Sequence, residues 1–239
     1  MEHALSSFRS VAPQVAVFDV DETLIRVKSM FEFLDFALQK REGSEAGAAL
    51  AASFVAELRK TAETKPRAEV NRDFYRYFKG WSANEVRQLA RDWFATVNTA
   101  TFYHPEVLRR FKEHRNLGHH TVFLSGSAEL FLVPLAAFLK VDDLIAIHLE
   151  EDKFGRLTGE IEGLQTIGVG KKRALMRVIE QMGRPLEIYG YGDHASDLPF
   201  LELCDHPIAI VGDTDKDTSA AWHHGLSKIV VSEPEMSMQ

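Results

Sequence analysis

From residue 14 onward, short apolar runs alternate with amphipathic helical stretches, except between residues 28 and 100, where every apolar pattern has helical spacing. Outside that interval the reading is strand Val15–Phe18, helix 105–116, strand His120–Leu124, helix 128–139 and strand Leu144–His148. A hairpin is expected around Lys153–Arg156, then helix 171–182, strand Leu186–Tyr191, helix 196–203, strand Pro207–Val211, helix 216–223 and strand Lys228–Val231. Strands separated by helices pair in parallel through right-handed crossovers. The expected fold is therefore α/β: a Rossmann-like core with a parallel sheet flanked by helices, interrupted after its first strand by an α-helical insert. Residues 1–27 and 101–239 would form the core, and residues 28–100 the insert.

Four helices are expected in the insert. Met30, Phe31, Phe33, Leu34, Ala37 and Leu38 recur at three- and four-residue spacing, as do Phe54, Val55 and Leu58, then Phe74, Tyr77 and Phe78, then Val86, Leu89, Ala90, Trp93 and Phe94. Ser82 with Glu85 three residues later is a capping box for the last helix. The aromatics Phe74, Tyr75, Tyr77, Phe78, Trp81 and Trp93 are read as the core of this small unit, because a four-helix insert must bury something.

Composition excludes several classes. A chain of 239 residues that is 45% hydrophobic and 26% charged can bury a sizeable core. Its 28 Lys and Arg against 35 Asp and Glu weigh against a nucleic-acid partner. No window approaches the run of about 18 apolar residues that a membrane span needs, and the N-terminus lacks a continuous apolar signal region, so a cytoplasmic location with no membrane partner is expected. Cys204 is the only cysteine, which rules out an intramolecular disulfide and suits a reducing compartment. Residues 26–100 hold 13 Lys and Arg against 10 Asp and Glu, whereas the remainder carries 15 against 25. The insert is the basic part of an acidic protein.

Ligands of open α/β sheets bind at the carboxyl ends of the strands. There this chain places Asp19 and Asp21 after the first strand, Ser125-Gly126-Ser127 after the second, and Gly192-Asp193-His194-Ala195-Ser196-Asp197 after a later one, with Lys171 starting the helix before it. A carboxylate can attack phosphorus and split a slow hydrolysis into two easier steps, provided the phosphoryl charge is neutralised and the leaving oxygen protonated. Asp19 is placed to attack and Asp21 to exchange the proton. Asp19, a backbone carbonyl at Asp21, and Asp193 offer the oxygen ligation that Mg²⁺ prefers. Ser125, the amides from Gly126 onward, and Lys171 offer an anion site.

These residues, taken in order, resemble the haloacid dehalogenase-like phosphatases, and within them the phosphoserine-phosphatase-like branch with a helical cap inserted after the first strand. The match runs through Asp19-Val-Asp21-Glu-Thr23-Leu, Ser125-Gly126, Lys171 in Gly-Lys-Lys-Arg-Ala-Leu, and Gly192-Asp193-x-x-x-Asp197-Leu, and covers about residues 14–231. The resemblance implies a Mg²⁺-dependent phosphoric monoester hydrolase acting on a small phosphorylated molecule. Asp19 would be the nucleophile, Asp21 the general acid and base, and Thr23 a supporting group. Ser125, Gly126 and Lys171 would hold the phosphate. The metal set would be Asp19, Asp21 and Asp193, with Asp197 acting through water or by orienting Lys171. Lys172 is the alternative to Lys171, since spacing alone does not separate adjacent lysines.

Lys28 departs from the family pattern. Phosphoserine enzymes carry an acidic residue there for the substrate ammonium, so a lysine favours a second anionic group instead and makes phosphoserine the alternative substrate. Arg72 and Arg76, one turn apart, are candidates to face the site from the insert. A phosphotransferase using the same aspartyl-phosphate is the other alternative, and the oligomeric state stays open. The stretch Gly163 to Lys172 fails the phosphate-loop spacing, and His119-His120 and His223-His224 lack a third ligand at metal spacing.

Overall fold

The computed structural model describes residues 13–183, 186–212 and 221–232. The expected helix over 216–223 lies outside them except for a 3-10 turn at Ala221–His223, and the N-terminal segment read for targeting lies outside them as well.

Seven strands form one sheet. They are β1 (Gln14–Phe18), β2 (His120–Ala128), β3 (Asp143–Glu151), β4 (Leu157–Glu162), β5 (Glu187–Gly192), β6 (His206–Gly212) and β7 (Ser227–Val231), in the order β4-β3-β2-β1-β5-β6-β7. All pairs are parallel except β3 with β4, which form the expected antiparallel hairpin. β1 is central and buried on both faces: Ala16 and Phe18 enter one core cluster, Val15 and Val17 the other. That double burial is why the strand is a continuous apolar run rather than an alternating one.

Helices α1 (Ser29–Glu42), α2 (Ser44–Ala62), α3 (Arg67–Arg76) and α4 (Ala83–Val97) fill the interval between β1 and α5 (Pro105–Asn116). The Ser82 hydroxyl accepts the Glu85 amide at the start of α4, as the capping pattern predicts. α6 (Glu129–Leu139) packs on the same sheet face as the insert, while α7 (Val169–Met182) and the short α8 (Leu198–Leu201) cover the other face. The expected helix over 196–203 is thus divided into a 3-10 turn at Ala195–Asp197 and one turn of α-helix.

Aromatic packing and backbone hydrogen bonds both join the insert to the core. Phe33 stacks on Phe131 of α6 at 4.2 Å and Phe78 lies 5.4 Å from the same ring, all three fully buried. Burying such a side chain is worth about 1.5–3 kcal/mol, so this contact fixes α1 and the α3–α4 turn against the core. Phe74, Tyr75, Trp81 and Trp93 are buried too, as core rather than an exposed stacking platform. The second join is to the hairpin. Gly80 donates its amide to the Leu157 carbonyl at 2.8 Å, Leu157 returns its own to Trp81 at 2.9 Å, Ala83 donates to Gly155 at 2.9 Å, and the Arg156 guanidinium donates to the Gly80 carbonyl at 2.8 Å.

Candidate active site

The apolar run of β1 ends at Asp19, whose amide still donates to Tyr191 of β5 at 2.9 Å. The chain then turns at once: the Leu24 and Ile25 amides both donate to the Val20 carbonyl, and Glu22 takes φ 60°, the left-handed region that few residues other than glycine adopt. This turn leaves Asp19, Asp21 and Glu22 lining one cavity of about 150 Å³, together with Lys28, Ser125, Gly126, Ser127, Lys171 and Asp193.

Lys171, in the first turn of α7, is 4% exposed. Its Nζ lies 2.8 Å from Asp19 Oδ1 and 2.6 Å from Asp197 Oδ1. Burial opposes its charge, but the two carboxylates outweigh that and hold its pKa above the usual lysine range. Lys172 lies on the surface, 3.2 Å from Glu202, so the structure separates the two lysines that spacing could not. Asp197 also accepts the His194 amide at 3.2 Å, which makes it an orienting partner for Lys171. Its closeness depends on Gly192: a Cβ there would stand 2.8 Å from Asp197 Cβ and Oδ2.

Burial raises Asp19 well above the usual carboxylate range despite Lys171, with Asp197 and Asp193 adding to the rise. Burial and the neighbouring Asp197 push Asp193 up to about 6. In both, burial is the larger cause and the neighbouring carboxylates add to it. Asp19, Asp193 and Asp197 each offer an oxygen, all within 4.8 Å of one another. A set of hard oxygen donors with surplus negative charge fits a small divalent cation.

Asp21 is held on both oxygens: Oδ1 accepts the Ser29 amide at 3.1 Å and Oδ2 accepts the Ser127 hydroxyl. Burial raises its pKa, and these hydrogen bonds oppose the rise. Thr23 does not line the cavity; it is fully buried and donates to Asp193 Oδ1 at 2.6 Å. Ser125 is buried at the cavity floor, its hydroxyl accepting the Ser127 amide at 3.1 Å and its carbonyl the Thr166 hydroxyl.

On the insert side, Arg72 is exposed and outside the cavity lining, and Arg76 is turned to Asp73 and Glu160. Their place is taken by Arg67, the first residue of α3, which reaches His194 Nδ1 at 3.0 Å. Lys28 lines the cavity but pairs with Glu22 at 3.1 Å, half exposed. Met30, Phe31, Leu58, Val70 and Ile167 supply an apolar wall. Sequence reasoning missed Asn71 and Tyr75, which both donate to the Gly126 carbonyl, at 3.1 and 3.2 Å, and Gln165, which donates to Asn71 Oδ1 at 2.9 Å. Nothing in the local pattern marks them, because their partners lie about 50 residues or more away.

The remaining candidates lie elsewhere. Burial and Asp205 push the Cys204 thiol up to about 12, leaving it unreactive. His120 meets Asp143 at 2.7 Å and His119 meets His114 at 2.8 Å, neither forming a cluster of three metal ligands among the described residues. No helix among the described residues is long and apolar enough to cross a membrane.

Comparison with known proteins agrees with this geometry. The profile described as haloacid dehalogenase-like hydrolase matches residues 16–202, and the chain belongs to that family. It is a hydrolase of that family, with a fold shared by solved phosphoserine phosphatases. A histidinol-phosphatase of Neisseria meningitidis serogroup C is 25% identical over 230 residues, covering 86% of this chain and 94% of that protein. Among solved structures, a protein of unknown function from Bordetella pertussis Tohama I superposes with a TM-score of 0.78 at 22% identity, covering 92% of this chain and 99% of that one. A phosphoserine phosphatase captured as an analogue of its phospho-aspartyl intermediate gives 0.65 at 18% identity, covering 94% and 95%. At these identities the two structures speak to the fold.

Proposed function

We propose that the protein is a Mg²⁺-dependent phosphatase that hydrolyses a small phosphomonoester through an aspartyl-phosphate on Asp19. The observation that carries this reading is the meeting, in one cavity, of Asp19, an ammonium 2.8 Å from it, and a second carboxylate two residues on. The phosphoryl group lies against Lys171, the Ser125 hydroxyl and the Gly126 amide. An Asp19 oxygen bonds to phosphorus, the bond from phosphorus to the leaving alcohol breaks, and Asp21 gives the departing oxygen its proton. Asp21 then takes a proton from the water that attacks phosphorus, which releases inorganic phosphate and restores Asp19. Asp19, Asp193 and the backbone carbonyl of Asp21 would hold the cation, with Asp197 supporting through Lys171 and Thr23 through Asp193. When bound, the cation supplies positive charge that offsets the clustered carboxylates and the phosphoryl oxygens.

In this reading residues 28–100 act as a cap on a core made of 1–27 and 101–239. The cavity, about 150 Å³, favours a small metabolite over a phosphoprotein. Two cations line it from the insert side, Lys28 and Arg67, and among the described residues only Lys28 has a carboxylate partner. That surplus favours a substrate that is anionic beyond its phosphate. A second reading, an amino alcohol phosphate, is favoured by Glu22 in the same lining and by the Neisseria histidinol-phosphatase.

The test is phosphate release from p-nitrophenyl phosphate and a metabolite panel with Mg²⁺ or with chelator, alongside mass measurement of acid-quenched enzyme. Asp19→Asn should abolish release and the covalent phosphoryl adduct while keeping the fold. Turnover by that variant would refute the nucleophile.

A further inference from the structure

The grip on Asp21 is made of two unlike donors. The Ser29 amide at 3.1 Å is a fixed N–H, which favours the ionised carboxylate only. The Ser127 hydroxyl, 1% exposed and arriving from the end of β2, donates to Oδ2, and can do so whether the group is a carboxylate or an acid protonated on its other oxygen. Ser127 is itself held, because its amide donates to Ser125 Oγ at 3.1 Å. The neighbouring Gly126 carbonyl is fixed from the insert by Asn71 and Tyr75. Asp21 is thus aimed by a side chain whose preceding peptide group is anchored at both its amide and its carbonyl.

We propose that Ser127 is a positioning residue for proton transfer: its hydroxyl holds the Asp21 carboxyl toward the leaving oxygen in both of that group's protonation states. The inference rests on the acid and base role proposed for Asp21. In the first half-reaction the proton carried on the other Asp21 oxygen passes to the oxygen that leaves phosphorus, while the Ser127 hydroxyl keeps donating to Oδ2. In the second the water proton returns to that other oxygen and the Ser127 contact is unchanged. No proton is gained or lost by Ser127.

The readout is leaving-group dependence, since an alkoxide needs its proton at departure and a p-nitrophenolate does not. For Ser127→Ala and Asp21→Asn, kcat/KM would be measured on p-nitrophenyl phosphate and on an alkyl phosphate turned over by the parent. Ser127→Ala should lose about tenfold more on the alkyl ester than on the aryl ester, the equivalent of about 1.4 kcal/mol in one transition state. Ser127→Thr, which keeps the hydroxyl, should restore the alkyl rate, and adding Ser127→Ala to Asp21→Asn should cost nothing further on the alkyl ester. Equal loss on both esters in Ser127→Ala, or no loss, overturns the positioning role. If Asp21→Asn itself shows no preference for the aryl ester, the role of Asp21 fails first, so the two failures are separable. Should Ser127→Ala fold poorly, Ser127→Gly carries the same comparison.

Discussion

Lys171 is the one cation in a buried group of carboxylates, and replacing it with the similarly long, uncharged Met isolates that charge. In Lys171→Met, Asp197 Oδ1 loses a partner at 2.6 Å and Asp19 Oδ1 one at 2.8 Å, both inside the protein. Removing one side of a buried ion pair costs about 3–5 kcal/mol. For a chain of this length, that is a fall in Tm of roughly 6–20 °C. The loss has a definite pH dependence. Asp19 stands above the usual carboxylate range even beside Lys171, and without it rises further. A carboxylate whose folded pKa exceeds its unfolded one destabilises when ionised, so the penalty is full above the folded pKa and disappears as pH falls toward the unfolded value. The stability gap between parent and variant should therefore be wide at pH 8 and should narrow at pH 5, by about 1.4 kcal/mol for each unit by which the variant's folded pKa exceeds the parent's within that range. Denaturant titrations at the two pH values would measure it, and Mg²⁺ added at pH 8 should narrow the gap as well. An equal gap at both pH values would refute the charge argument and assign the loss to packing.

Other outcomes follow from single contacts. Lys28→Glu places a second carboxylate beside Glu22, so the ratio of kcat/KM for dianionic against ammonium-bearing phosphates should fall at least about tenfold; an unchanged ranking removes Lys28 from specificity. Gly190→Ala would put a Cβ 2.5 Å from Cys204 Sγ and should cost about 1–3 kcal/mol, partly recovered by adding Cys204→Ala, as thermal melts of the four variants would report. His114, held between His119 and the Tyr191 hydroxyl, is driven down to about 4 by burial, then by His119 and Arg110. The fold favours its neutral form, so that contribution is present above the unfolded pKa and is lost as pH falls toward 4. A His114→Phe variant should lose less Tm than the parent between pH 6.5 and 4.5, and parallel curves would contradict this.

What could be read from the sequence followed the chain's own periodicity. Of the apolar runs that became parallel strands, β1, β2 and β5 lead into residues that line the cavity, because those strand ends share one edge of the sheet. Asp19, Asp21, Ser125 and Asp193 were therefore legible as cavity residues, and Lys171 joins them from the first turn of α7. β2 runs to Ala128 rather than stopping at Leu124, since Ser125–Ser127 continue extended and rejoin β3 only at Ala128, past an irregularity. Which arginine of α3 reaches the cavity was not legible: Arg67, Arg72 and Arg76 share one short helix, and only its docking on the core selects among them. Thr23 was expected as a supporting group, but not the group it supports: it meets Asp193, a partner 170 residues away. The same holds for Ser127 on Asp21, where both residues were visible and their contact was not.

The bonds between the α3–α4 turn and the β3–β4 hairpin bear on how the cavity admits anything. Four hydrogen bonds tie Gly80, Trp81 and Ala83 to residues 155–157, each worth about 1 kcal/mol net. A swing of the four helices alone would have to break them together. A motion that carries β4 with the helices keeps all four, but still has to part Phe33 and Phe78 from Phe131. The edge strand of the sheet is thus also a strap across the insert.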